Sequence, residues 1–301
     1  MALGRDDARR LARRLFSEET EATRFLEALR GEQNERALLW MDAPPEALPA
    51  ELGARLDPAP WQPVWIDRVT RVAGFGHHPW HLAGQCYGFD LSSTFTASVM
   101  LGLKENPRTI IDVCAAPGGK SLFAARAFRP DRLISNEVIG KRQPLLRGNL
   151  NRCGVNAEVT RLDPEKLADQ FEFAADLVLV DAPCSGQSLP AKGIENPGCF
   201  HPINIKKNTG RQRRILAAAA RMVAPGGALF YSTCTFAPEE NEKVLNWLMD
   251  KNTGWQAVAS NAHAGHASPL VEWPCYRLYP QTGWGAGGFA ALLRRDALER
   301  Q

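Results

Sequence analysis

From residue 109 onward, short runs of apolar and β-branched residues alternate with stretches whose apolar positions recur at helical spacing. The runs are Thr109 to Cys114, Arg132 to Glu137, Asn156 to Arg161, Leu177 to Pro183, Ala228 to Thr233 and Phe289 to Leu293, and each predicts a strand. Helical patterns separate most of them, at Ser121 to Phe128, around Pro144 to Arg152, at Arg213 to Val223 and at Glu239 to Met249. Strands alternating with helices imply βαβ units, hence a mostly parallel sheet covered on both faces in an α/β fold. Ligands in such folds sit at the carboxyl ends of strands, where connections diverge. Functional residues are therefore expected just after strands.

The first hundred residues read differently. Leu11, Leu15, Phe25, Leu26 and Leu29 form apolar stripes on two short helices within Arg5 to Arg30, and Arg9, Arg10, Arg13 and Arg14 lie largely off them. Asp42 to Pro63 is proline-rich and reads as an irregular connector, and Val64 to Asp90 as short strands and turns. The expected organisation is a small N-terminal α+β domain over residues 1–100 and a larger α/β domain over residues 101–301.

Composition narrows the classes. With 301 residues and 45% hydrophobic content the chain can bury a large core. The 36 Lys and Arg against 33 Asp and Glu leave a formal charge of only +3, so any nucleic-acid contact is expected to be local. Seven cysteines without a C-x-x-C pair argue for reduced thiols rather than disulfides or a zinc site. The segment Met1 to Arg14 is too charged for a signal peptide, and no apolar run is long enough to span a bilayer. A soluble, cytoplasmic, metal-free monomer is the expectation.

The first of the clear strands runs into Asp112-Val113-Cys114-Ala115-Ala116-Pro117-Gly118-Gly119-Lys120-Ser121 and then a helix. Small residues and glycines there let backbone N–H groups approach a ligand at a helix N-terminus. A P-loop would need Gly where Cys114 stands, and G-x-G-x-x-G is absent, so neither ATP nor NAD fits. The second strand ends at Glu137, where a carboxylate can accept both hydroxyls of a ribose. Asp163 follows the third strand and is placed either to receive an adenine amine or to cap the helix beginning at Pro164.

Two thiols follow neighbouring strands, in Asp181-Ala182-Pro183-Cys184-Ser185-Gly186 and in Ser232-Thr233-Cys234-Thr235. Cysteine is often a small core residue, and Cys86, Cys153, Cys199 and Cys275 are read that way, as is the Cys114 thiol. Two cysteines at adjacent strand ends beside an acid suggest chemistry. C5 of cytosine is too electron-poor to attack a methyl sulfonium until a thiolate adds to C6. Asp181 is placed to stabilise charge developing in the ring, electrostatically or as a proton donor. Nitrogen methyltransferases usually carry an aromatic where Cys184 stands, which points to carbon as the acceptor. Spacing alone leaves open which thiol attacks.

Together these motifs resemble the RsmB/Nop2/Sun family of RNA cytosine-C5 methyltransferases. The resemblance runs from about Gln85 to Arg294 and includes Pro238-Glu239-Glu240-Asn241 and Gly287-Gly288-Phe289. It implies a Rossmann-like class I methyltransferase fold with a seven-stranded sheet, S-adenosyl-L-methionine as cofactor, and an rRNA or tRNA substrate. Carried over residue by residue, it makes Cys234 the nucleophile, Cys184 the group assisting product release, and Lys120 a residue near the reacting base. The cofactor would be held by residues 114–120, with Glu137, Arg142, Asp163, Asp181 and Pro183. The chain departs from the pattern at Gln187 to Arg211, a segment expected to help bind substrate. It also ends soon after Arg294, without the C-terminal RNA-binding appendage of several relatives.

Arg142, Arg147 and Arg152 on one helix, and Arg211, Arg213 and Arg214 on another, are candidate phosphate contacts. Trp61, Trp65, His77, His78 and Trp80 are candidates for base stacking or core packing. The alternatives are methylation of another acceptor, such as DNA cytosine, and a non-catalytic RNA-binding or ribosome-assembly factor on the same fold.

Overall fold

A computed structural model describes residues 5–31, 34–251 and 254–297; residues 1–4, where the charged N terminus begins, lie outside the described residues. Helices α1 (Arg5–Leu15) and α2 (Glu19–Ala28) pair through Ala8, Leu11, Ala12 and Leu15 against Ala22, Phe25 and Leu29. The spacing of the first four puts them on one stripe. That stripe is buried against Phe200 and Phe236 of the main body. The outward arginines include Arg14, which bonds Glu239 at 2.5 Å.

Strand β1 (Glu35–Trp40) pairs antiparallel with β2 (Ile66–Thr70) and β3 (Cys86–Phe89), and the short helix α3 (Pro79–Leu82) precedes β3. Alternation sends Ala37 and Leu39 to one face and Leu38 and Trp40 to the other. The first face shares a core with Phe89 and Phe123, while the second is covered by Leu52 and Phe75. Since both faces are buried, β1 lacks an apolar/polar alternation and its sequence does not announce a strand. The proline-rich stretch 42–63, read above as an irregular connector, joins β1 to β2 within one sheet.

Helix α4 (Leu91–Ser98), capped by Asp90, leads into the main sheet. Its parallel part is β4 (Thr109–Asp112), β5 (Arg132–Asn136), β6 (Glu158–Thr160), β7 (Ala175–Asp181) and β8 (Val223–Thr233). Three antiparallel strands, β9 (Trp255–Ala257), β10 (Tyr276–Leu278) and β11 (Gly288–Arg295), complete it. The order β10-β11-β8-β7-β4-β5-β6 gives seven positions across. An eighth strand, β9, shares the β11 edge with β10, and both are three residues long, too short to show a period.

Helices α5 (Gly119–Phe128), α6 (Gln143–Arg152), α7 (Pro164–Gln170), α8 (Pro202–Met222) and α9 (Glu242–Lys251) cover the faces. Helix α8 begins eleven residues before the apolar period of its sequence does. Its first turns are mostly exposed, with Ile205 buried, and its start is set by Pro202 at the first position and by His201, whose Nδ1 accepts the Ile203 N–H at 3.2 Å. Among the described residues no helix is long and apolar enough to cross a membrane, and no three His, Cys, Asp or Glu are grouped to hold a metal.

Candidate active site at the strand ends

Strands β4, β5, β7 and β8 end at one edge of the sheet, and the side chains singled out in the sequence gather there. Asn136, the last residue of β5, ties the ends of β4 and β6 to it: its amide donates to the Val113 and Leu162 carbonyls and its oxygen accepts the Thr160 hydroxyl and the Leu162 N–H. With all four bonds made, Asn136 is a fully buried fixture that holds the next residue, Glu137, in place.

The turn after β4 folds tightly. Gly118 has φ +111°, and a Cβ on Gly119 would lie 2.6 Å from the Phe89 ring. Only glycine fits both positions. Ala115, Ala116, Gly118 and Gly119 are buried, and Pro117 is exposed with its carbonyl bound by Asn149 at 2.8 Å. Arg142 donates to the Ala116 carbonyl. Asp112 lies wholly buried beneath the turn, accepting from Ser121 at 2.7 Å; burial, followed by the nearby Asp181, outweighs that bond and pushes its carboxyl up to about 7.

A cavity of about 380 Å³ opens beside this turn, and its walls include Cys114, Glu137, Arg142, Asp163 and Pro183. Val138 and Ile139 are half exposed on its wall, with Pro164 and Ile215 near them. Glu137 points inward: Oε1 accepts the Ile139 N–H at 2.8 Å, while Oε2 lies 3.1 Å from Arg142 outside hydrogen-bonding alignment and is buried with no donor. A buried carboxylate oxygen without a donor is costly unless a ligand supplies one. Ribose hydroxyls would do so, and the apolar wall suits an adenine face, so these residues fit S-adenosylmethionine. Asp163 caps α7, accepting the Glu165 N–H at 3.1 Å, and still lines the cavity. The capping role and the cavity position coexist.

The two thiols meet. Asp181 and Ser232 are paired residues of β7 and β8, and beyond them Cys184 Sγ and Cys234 Sγ lie 3.1 Å apart, both half-buried and both free. Asp181 accepts from Ser232 Oγ at 2.8 Å, and its other oxygen lies 2.8 Å from Nζ of the buried Lys120. The cysteines are electrostatically unequal. The hydrogen bond to Cys234 and burial hold Cys184 well above the ordinary thiol range. The hydrogen bond from Cys184, then Lys192 and Lys120, bring Cys234 below it against the opposing effects of burial and Asp181. The two thiols are thus displaced in opposite directions, Cys234 being the more readily ionised.

The arginines fare differently. Arg152 is spent on the His81 and Cys86 carbonyls, Arg147 on the Val159 carbonyl, and Arg142 on the turn and Glu137. Arg211 and Arg214 reach the cofactor-sized cavity, while Arg213 lies over the Trp247 ring at 5.5 Å. Trp61 packs against Phe95 and Trp65 against Phe123, and His78 caps α3. His77 is exposed. Sequence reasoning missed Lys192, Ser232, Asn136 and Glu240, the last buried with Oε2 accepting the Ser185 N–H and the Gln212 amide. Ser232 and Glu240 stand inside the motifs quoted above, where no role of their own was signalled.

A sheet of this order, with a glycine turn after its first parallel strand and an acid ending the second, is the class I methyltransferase fold. A family model described as 16S rRNA methyltransferase RsmB/F matches residues 98–294. The chain belongs to that RsmB/F family. It is 32% identical over 260 residues to ribosomal RNA small subunit methyltransferase F of Klebsiella pneumoniae (strain 342), covering 83% of this chain and 54% of that one. The same-named protein of Escherichia coli O17:K52:H18 is 32% identical over 257 residues, covering 82% and 53%. The chain spans about half the length of these curated relatives. A solved methyltransferase homolog protein from Pyrococcus horikoshii superposes with a TM-score of 0.75 at 25% identity, covering 96% of this chain and 98% of that one. NSun6 from Pyrococcus horikoshii, solved with SFG, gives 0.74 at 21% identity, covering 96% and 97%; at that identity it speaks to the fold alone.

Proposed function

We propose that this chain transfers a methyl group from S-adenosylmethionine to C5 of a cytosine in RNA, with ribosomal RNA as the substrate class. The observation that carries the reading is the Cys184–Cys234 pair, 3.1 Å apart at adjacent strand ends, beside the cavity into which Glu137 points. The named function of the curated relatives, small-subunit rRNA methylation, supports the substrate class.

In this reading residues 101–301 are the catalytic domain and residues 1–100 flank it. The cofactor supplies an electrophilic methyl group. Cys234 Sγ bonds to C6 of the cytosine, and the displaced electron pair makes C5 nucleophilic. Asp181, already accepting from Ser232 and Lys120, has lone pairs left for the exocyclic N–H groups, so it serves as an acceptor that fixes the base. After C5 is methylated, a base takes its proton and the C6–S bond breaks, returning the electron pair to Cys234. Cys184, in contact with the departing sulfur, assists that last step. The target base must leave its stack to admit a thiolate above the ring.

Bisulfite sequencing of total RNA from cells with and without the gene tests the reading: one methylcytosine should vanish from rRNA, and an unchanged map would overturn it. Cofactor binding is separable. Glu137→Ala should weaken S-adenosylhomocysteine binding about 10- to 100-fold by calorimetry, the loss of one or two bonds to a charged acceptor. Unaltered affinity would remove Glu137 from the site.

A further inference from the structure

Lys192 lies in the segment Gln187 to Arg211, and the fold stitches that segment to the strand end carrying Cys234. The Ser188 N–H donates to the Cys234 carbonyl at 3.1 Å, and buried Gln187 accepts the Phe236 N–H at 2.9 Å. A short turn, Pro190–Lys192, then brings the lysine back over the crevice with its side chain only 20% exposed. Its Nζ lies 3.0 Å from Asp90 Oδ1. The same oxygen accepts the Ser93 N–H at 3.2 Å and caps α4. Asp90 thus divides its charge between a helix N-terminus and the lysine, so it neutralises Lys192 incompletely.

The charged and titratable groups facing Cys234 are Cys184, Lys192, Asp181 and Lys120, and Glu240 stands behind Cys184. Lys120 is matched by Asp181 at 2.8 Å. Lys192 is the cation whose counterion is shared elsewhere.

We propose that Lys192, latched by Asp90, is a positioning residue that favours the thiolate of Cys234 in the resting protein and so readies it for attack. The role rests on the proposed function only in taking Cys234 as the nucleophile. Field directions agree: after the Cys184 hydrogen bond, Lys192 is the strongest influence lowering the Cys234 thiol, ahead of Lys120. Family members without a lysine here would need another cation for that task.

The test uses the full chain without RNA. Iodoacetamide labelling of Cys234 is followed against pH, with the modified peptide quantified by mass spectrometry. Lys192→Gln, which can still bond Asp90, should move the labelling midpoint up by about one pH unit and slow labelling at neutral pH about tenfold. Lys192→Arg should keep the wild-type midpoint. In RNA methylation by Lys192→Gln, kcat should fall at neutral pH and recover as pH rises, with KM unchanged. A folded Lys192→Gln protein with an unmoved midpoint overturns the proposal. Should that variant not fold, Asp90→Asn/Lys192→Gln removes both charges and leaves no unpaired ion; a smaller upward shift is expected, because the opposing charge of Asp90 goes too, and an unmoved midpoint counts equally against the proposal. A midpoint shift in a chain that methylates no RNA would sink the functional reading while leaving the thiol assignment standing.

Discussion

Cys234→Ala is expected to abolish RNA methylation, by at least about a thousandfold, and to form no covalent complex with RNA, while Cys184→Ala accumulates such a complex. The asymmetry follows from the 3.1 Å contact. Without Cys184, Cys234 loses the hydrogen bond that most favours its thiolate, yet Lys192 and Lys120 remain to support attack. The adduct therefore still forms, but the sulfur that must leave has no adjacent thiol to assist it. Without Cys234 no sulfur stands where it can add to C6, and Cys184, which loses the bond to Cys234 but is still raised by burial and by Glu240, is a poor substitute. Denaturing gel electrophoresis of each variant with RNA and S-adenosylmethionine distinguishes the outcomes. Adduct accumulation in Cys234→Ala instead would reverse the two roles. Both variants should bind S-adenosylhomocysteine as the wild type does, because neither cysteine is on the wall of the cavity beside Glu137.

What the sequence disclosed, and what it hid, divides along the length of the interactions. The parallel strands are legible because β4, β5 and β7 have apolar centres, Ile110-Ile111, Leu133-Ile134 and Leu177 to Val180, and the site motifs stand just beyond them. Strand β1 is hidden because Ala37 to Trp40 is apolar on both faces, and the first turns of α8 because Ile205 alone of their residues is buried, too little to show a period. Asp181, Cys184, Cys234 and Lys120 were found as residues at motif positions; their mutual distances were not. Lys192 had no local signal, since its importance comes from Asp90 far back in the chain and from the Ser188 bond to Cys234. The arginines of α6 show the reverse error. A charge pattern reports that a cation is present but not what holds it, and Arg152 is held by two carbonyls next to β3.

Asp181→Asn and Lys120→Met are each expected to lower kcat about 100- to 1,000-fold, and the double variant to lose no more than the worse single one. The two side chains form one device: Lys120 is buried, so its position depends on the carboxylate 2.8 Å away, and Ser232 aligns that carboxylate from the other side. Either single change leaves the survivor misdirected, and Asp181→Asn also leaves a buried ammonium with a neutral partner. A buried pair that acts as a unit gives strongly non-additive losses, whereas independent groups would multiply theirs. The cycle is measured as single-turnover methyl transfer to RNA, with S-adenosylhomocysteine binding followed in parallel. Multiplicative losses would show that Asp181 and Lys120 serve separate steps, and loss of cofactor binding in Lys120→Met alone would place the lysine with the cofactor rather than with the base. The expected result keeps both at the ring: Asp181 fixing the exocyclic amine, and Lys120 holding Asp181 while adding positive charge beside Cys234.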